Sequence, residues 1–163
     1  EFFDEGGQGR FLVIGGAQQA DEKRIEAEAK EEAACLGLSG KHQFTGFRSD
    51  MPAVMADLDV VALCTEAEPL GRVVLEGMSS GRTVVASQTG GVPELLEHEK
   101  SGWLVPPNDP TALAKAFLFL ARHPNIRQVI GRAARARAID RFSLRAHITR
   151  MTDLYRALVD PRE

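Results

Sequence analysis

Short uninterrupted apolar runs alternate along the chain with longer segments whose apolar positions recur every three or four residues. Arg10 to Gly16 (RFLVIGG) is an apolar run closed by two glycines, the pattern of a buried parallel strand and its turn. Asp21 to Leu36 follows as a helix, with Ile25, Ala29, Ala33 and Leu36 on one stripe, charge on the other faces and Gly37 placed to end it. His42 to Thr45 is a second strand that closes on Gly46-Phe47-Arg48. Asp50 can cap the next helix, which carries Pro52 in its first turn and Val54, Met55 and Leu58 inward. Val60 to Cys64, Thr83 to Ser87 and Trp103 to Val105 read as three further strands, with a polar loop from Thr65 to Leu70 and a helix from Gly71 to Ser80 between the first two. The remainder is helical: Thr111 to Arg122, Ile126 to Arg141 and Ser143 to Leu158, broken at Pro124 and at Phe142-Ser143.

Helices placed between short strands are what parallel crossovers demand, so the predicted class is α/β, with about five parallel strands in a sheet covered on both faces and extra helices at the C-terminus. In such sheets ligands bind beyond the carboxyl ends of the strands. Those ends are Gly15-Gly16, Gly46-Phe47-Arg48, Thr65 to Gly71 and Gly90-Gly91. The chain has 163 residues, 44% of them hydrophobic, which suits one domain with its own core. We expect residues 1–9 to be a disordered or cloning-derived leader and 10–160 to be one domain cut short on its N-terminal side. The absence of an initiator Met and the Glu1-Phe2 pair, whose codons spell a common cloning site, support that expectation.

Charge and cysteine usage remove several function classes. With 23 acidic against 20 basic side chains the net charge is −3, so nucleic acid, whose binding rests on phosphate neutralisation, is not an expected partner. Cys35 and Cys64 have no CxxC companion and no His at ligand spacing, which predicts buried thiols, a reducing compartment and no zinc site. The longest apolar run, Ala116 to Ala121, is far short of the roughly 20 residues of a spanning helix. The expected location is therefore cytoplasmic. Arg127, Arg132, Arg135, Arg137, Arg141 and Arg145 make the late helices basic, read first as a solvated face and second as a peripheral contact with the inner face of a membrane. His42, His98, His123 and His147 stand singly and receive no role.

The segment from Thr65 to Met78 concentrates the candidate chemistry. Val74, Leu75 and Met78 form the inward stripe of its helix, and Glu76 lies about 200° around from Val74, outside that stripe. Gly71 allows close backbone approach, and the amides of Leu70, Gly71 and Arg72 at the helix start could meet an anion. Glu68, just before them, either accepts hydrogen bonds from ligand hydroxyls or simply caps the helix. Spacing alone leaves both readings open.

Four ordered blocks extend this pattern: Glu68 with Glu76; Gly81-Arg82-Thr83-Val84-Val85-Ala86-Ser87; Gly90-Gly91-Val92-Pro93-Glu94; and Ser101-Gly102-Trp103-Leu104-Val105-Pro106-Pro107-Asn108-Asp109-Pro110. Together with Gly46-Phe47-Arg48, Asp57 to Val60, Arg141-Phe142-Ser143 and Tyr155, they resemble the donor-binding C-terminal domain of glycosyltransferase family 4. The resemblance implies the Rossmann-like three-layer C-terminal half of a GT-B fold. It implies a retaining hexosyltransferase using a nucleotide-diphosphate sugar (a UDP-, GDP- or ADP-sugar), with no cofactor and no metal, and partnered by an N-terminal acceptor domain absent from this chain. Carried over residue by residue, Glu68 is the catalytic candidate and holds sugar hydroxyls. The amides of Leu70, Gly71 and Arg72 meet sugar and diphosphate, Glu76 binds the ribose, Gly46 and Phe47 border the base, and Thr65 lies in the same donor pocket. Gly90-Gly91 is read as backbone geometry with φ > 0 before Pro93 opens a short helix.

The chain departs from the family at Cys64-Thr65, where Pro-Ser is usual, at Leu70, where Phe is common, and at Gly77, where Ala is usual. The first strand of the family's domain, with the Arg and Lys that stabilise the leaving diphosphate, has no counterpart in Glu1 to Arg10. The isolated chain is therefore expected to be inactive. The alternatives are a GT-B nucleotide-sugar epimerase, which lacks the Glu68 to Glu76 register, and a non-catalytic nucleotide-binding module. A phosphoryl-accepting receiver fails because it needs acidic strand ends where this chain has Gly15-Gly16 and Cys64-Thr65.

Overall fold

A computed structural model of the chain describes residues 1–16 and 19–159. The expected domain end at 160 lies outside the described residues. The chain divides into two compact units, one made of Gly6–Met51 and the other of Glu1–Glu5 with Pro52–Glu163.

The smaller unit contains β1 (Phe11–Ile14), α1 (Ala20–Cys35) and β2 (His42–Gly46). β1 and β2 pair in parallel from Phe11↔His42 to Ile14↔Gly46, with a register shift between Val13 and Ile14. The elements are those expected, but their burial is not. Leu12 is 38% and Val13 46% exposed, so β1 is not the buried strand its sequence suggested. Of the expected stripe, Ile25 on α1 and Leu36 just past its end are likewise exposed. Exposed ion pairs cross the helix surface, Arg24 to Glu28 at 3.0 Å and Lys30 to Glu26 at 2.5 Å. Such pairs support a helix that buries little, each by a few tenths of a kcal/mol. Gly37, at φ +66, closes α1 through its own N–H to Ala34 and that of Leu38 to Ala33.

The larger unit continues with α2 (Met51–Asp57), whose first residue belongs to the smaller one, then β3 (Val60–Leu63), α3 (Arg72–Ser79), β4 (Thr83–Ser87), α4 (Val92–Leu95), β5 (Trp103–Val105), α5 (Pro110–Arg122), α6 (Pro124–Phe142) and α7 (Leu144–Val159). The parallel sheet runs β3-β4-β5, so the five parallel strands hydrogen-bond as a pair and a triplet. Every residue of β4 is buried, the burial on both faces that its unbroken TVVAS run predicts for a central parallel strand. Around it, Val85, Val105, Ala116, Leu120 and Ile130 form a core against which Trp103, Phe117 and Phe119 pack. The ring of Phe2 meets Phe117 edge-on at 6.4 Å, and Arg122 donates to the Glu5 carbonyl at 2.8 Å.

Glycine lets α3 approach this sheet. A Cβ on Gly77 would stand 2.9 Å from Cγ2 of Val84 and 3.2 Å from Cβ of Val61, which accounts for glycine inside a helix that would otherwise favour alanine. Two late arginines are crosslinks instead of a solvated face. Arg127, 19% exposed, reaches Asp59 at 2.8 Å and the Leu120 carbonyl at 3.0 Å. Arg137, 15% exposed, donates to the carbonyls of Leu95 and Glu94 and pairs with Glu97. Among the described residues no helix is long and apolar enough to cross a membrane.

Candidate functional site

The turn before α3 is built by Gly71, whose φ of +78 places it in the left-handed region at the N-cap. The position is also tight: a Cβ there would lie 3.1 Å from Cδ1 of Leu95. Gly71 has no side chain of its own to cap the helix, and the carboxylate of Glu68 folds onto this turn. One carboxylate oxygen, Oε1, accepts from the N–H of Gly71 at 2.8 Å and from that of Leu70 at 3.2 Å. Both N–H groups precede the first helical residue, Arg72, so Glu68 braces the turn into α3 without capping an amide inside the helix, and the Leu70 and Gly71 amides expected to be unpaired are taken. The other oxygen, Oε2, has no protein donor among the described residues. A half-buried carboxylate fixed through one oxygen can present the other to hydroxyl donors without first being ordered.

Glu76 sits one turn further along, on the face opposite the buried Val74, Gly77 and Met78. Its side chain is 46% exposed, and among the described residues only the 3.9 Å approach of the 81% exposed Arg72 engages it. Glu68, Leu70, Gly71, Arg72 and Glu76 are thus gathered at the first turns of one helix. Leu70 is also exposed, at 56%.

Thr65 lies apart from that turn, in the wall of a cavity of about 340 Å³ at the carboxyl ends of β3, β4 and β5. Its hydroxyl oxygen is buried and finds no hydrogen-bond partner among the described residues. Cys64, Glu66, Ser87, Asn108 and Asp109 line the same cavity. Asn108 adopts a left-handed φ of +57 and donates to the Glu66 carboxylate at 3.2 Å. Sequence reasoning gave no role to Ser87, Asn108 and Asp109, although Ser87 ends a predicted strand and the other two follow one, where ligand sites of parallel sheets gather. Both cysteines are exposed, which corrects the expectation of buried thiols. Loss of hydration around the sulfur still pushes the Cys64 thiol above its ordinary pKa. A larger cavity of about 620 Å³, walled by Trp103, Phe119 and Ile130, contains none of the candidate residues.

In the smaller unit Gly46, at φ +69, ends β2, and Phe47 follows with 76% of its surface exposed. The Gly15 N–H donates to the Gly46 carbonyl at 3.1 Å. Asp50, the residue before α2, accepts from Arg48 through both its oxygens, at 2.7 and 2.5 Å. That guanidinium holds the Asp50 carboxyl below its usual range.

Gly90 and Gly91 follow β4. Gly90 has φ +52, as expected, whereas Gly91 has an ordinary φ of −81.

A family profile described as "Glycosyl transferases group 1" matches residues 5–137. The chain belongs to the group 1 glycosyl transferases. Its relatives include a D-inositol 3-phosphate glycosyltransferase of Saccharomonospora viridis, 39% identical over 107 residues, which cover 66% of this chain and 25% of that protein. A solved structure of Anabaena Alr3699/HepE in complex with UDP superposes with a TM-score of 0.85 at 32% identity, covering 90% of this chain and 40% of its own. The C-terminal domain of the Francisella tularensis group 1 protein LpcC, 18% identical, shares the fold with a TM-score of 0.74 over 88% of this chain and 91% of that domain. The fold is that of the GT-B glycosyltransferases, and the chain spans a quarter to two fifths of the length of the two full-length proteins.

Proposed function

We propose that this chain is the donor-binding domain of a retaining family 4 glycosyltransferase that moves a hexosyl group from a nucleotide-diphosphate sugar to an acceptor held elsewhere in the whole protein. The observation that carries the reading is the pair of glutamates on the first turns of α3, with Glu68 anchored by helix-start amides and Glu76 left outward. Two further findings support it. The Anabaena HepE protein has been solved with UDP and, at a TM-score of 0.82, with UDP-glucose. The Saccharomonospora viridis relative is named as a D-inositol 3-phosphate glycosyltransferase.

In this reading Glu68 accepts hydroxyl hydrogens of the donor sugar through Oε2, and Glu76 accepts those of the ribose. The positive end of α3, with the Arg72 amide and guanidinium, faces the diphosphate. As the anomeric bond breaks, negative charge grows on the departing diphosphate, and dipoles already oriented at that charge lower the barrier. The Leu70 and Gly71 amides contribute by fixing Glu68. Leu70 offers an apolar edge to the sugar, and Thr65 has a spare hydroxyl at the strand ends. The base-bordering role of Gly46 and Phe47 stands on the family resemblance alone.

Calorimetric titration of the intact protein with UDP, GDP and ADP, and with their glucose conjugates, tests the reading. One nucleotide should bind, and Glu76→Ala should weaken it by about tenfold, the loss of hydrogen bonds to a charged acceptor. In turnover, the product should keep the anomeric configuration of the donor, read from its proton coupling. Parental nucleotide affinity in Glu76→Ala, or an inverted product, would sink the corresponding half of the proposal.

A further inference from the structure

Glu68 is held from two sides. Its carboxylate is fixed by the helix-start amides, while its carbonyl oxygen accepts from the N–H of Gly91 at 3.1 Å, in the turn after β4. The same turn grips the loop again two residues earlier, where the Thr89 hydroxyl donates to the Glu66 carbonyl at 2.9 Å. The backbones approach so closely that side chains are excluded. A Cβ on Gly90 would stand 2.1 Å from the Glu68 carbonyl oxygen and 2.8 Å from its carbonyl carbon, and one on Gly91 would stand 2.6 Å from the Pro69 carbonyl oxygen. Real Cβ atoms do not come that near to backbone, so neither glycine can gain a methyl unless the Glu68-Pro69 segment moves.

We infer that Thr89, Gly90 and Gly91 are positioning residues that set where the Glu68 carboxylate stands, and that they thereby determine how the protein distinguishes a nucleotide sugar from the bare nucleotide. The inference deepens the donor-binding reading and rests on it. These residues need not touch the ligand. Their effect passes through the backbone of Glu68, the group assigned to the sugar hydroxyls. A displacement of the carboxylate by a fraction of an ångström removes sugar contacts and leaves nucleotide contacts in place.

The glycines of this unit separate the two ways in which a methyl group could do harm. Gly81→Ala places alanine at φ +72, with nothing nearer to the new Cβ than Cδ of Arg135 at 3.8 Å, so it introduces backbone strain without touching Glu68. Gly91→Ala, at φ −81, brings the clash without the strain. Gly90→Ala brings both. Thr89→Val removes one hydrogen bond and neither strains nor crowds the turn, so it keeps the test decisive if the alanine variants fail to fold.

The measurement is the ratio of dissociation constants, nucleotide sugar over nucleotide, in the intact protein, with Glu68→Gln as reference and the UDP, GDP and ADP pairs as probes. Glu68→Gln, Gly90→Ala and Gly91→Ala should each raise the ratio about tenfold, Thr89→Val about threefold, and Gly81→Ala should leave it unchanged while lowering Tm. If Glu68→Gln raises the ratio and the Gly90, Gly91 and Thr89 variants behave like Gly81→Ala, the positioning role is refuted and the donor-binding reading survives. If Glu68→Gln leaves the ratio at its parental value, or no nucleotide sugar binds, the donor-binding reading falls and takes the positioning role with it.

Discussion

Gly131 shows how a contact can reverse a local preference. It sits inside α6, where alanine would be favoured by about 1 kcal/mol on helix propensity. A Cβ there would lie 2.3 Å from the carbonyl oxygen of Gly81 and 3.2 Å from its carbonyl carbon. No rotamer relieves a clash between Cβ and backbone, and overpacking of this kind costs about 1–3 kcal/mol. Gly131→Ala should therefore destabilise the protein by about 1–2 kcal/mol net of the propensity gain. Urea unfolding would show this as a lower midpoint at unchanged slope. Gly77 repeats the logic more mildly, since its neighbours are the side chains of Val84 and Val61. At this scale the sequence is half readable. It shows that a glycine interrupts a helix, but the atom that forbids alanine belongs to another element, and no local pattern names it. The same holds for Gly91, where the expectation of a left-handed φ was wrong and close approach to Pro69 is the reason.

Elements were the most legible level, because their signals are local. The helix expected from Thr111 begins at Pro110, and the Asp109 carboxylate before it accepts from the Ala112 N–H at 2.8 Å. α5 carries Ala116, Leu118 and Leu120 into the core, so loosening its first turn reaches the sheet. Asp109→Ala should cost about 1 kcal/mol and Asp109→Asn a few tenths, since either oxygen-bearing side chain can cap. Equal Tm losses for the two would mean that Asp109 matters through its charge or its place in the cavity wall, not as a cap. The Glu68-Glu76 helix was legible for a related reason. Helical angle alone placed Glu76 outside the buried stripe, and it is outside. What spacing could not decide was whether the Glu68 carboxylate turns onto the backbone amides that follow it. That depends on the φ of Gly71, which lets the chain turn so that one oxygen serves both amides.

Burial is a property of the whole molecule, and there the sequence misleads. FLVI in β1 and VVAS in β4 look alike as apolar runs, yet β4 is buried throughout while Leu12 and Val13 of β1 are exposed. The difference lies in what each unit supplies around its strands. β4 has a strand on either side and packs against α3, α5 and α6, whereas Gly6–Met51 holds two strands and one charge-rich helix. A unit that small buries too little apolar surface to offset its chain entropy by a wide margin. Stability should therefore be unequal within the chain. In native-state hydrogen exchange, amides of β1 and β2 should exchange through openings of low free energy, while those of Val84 to Ala86 should exchange only with global unfolding. Added denaturant should accelerate the β4 amides steeply and the β1 and β2 amides hardly at all, because small openings expose little surface. Equal protection and equal denaturant dependence in the two sets would show that the smaller unit unfolds only together with the larger, and that exposed Leu12 and Val13 are no sign of local weakness.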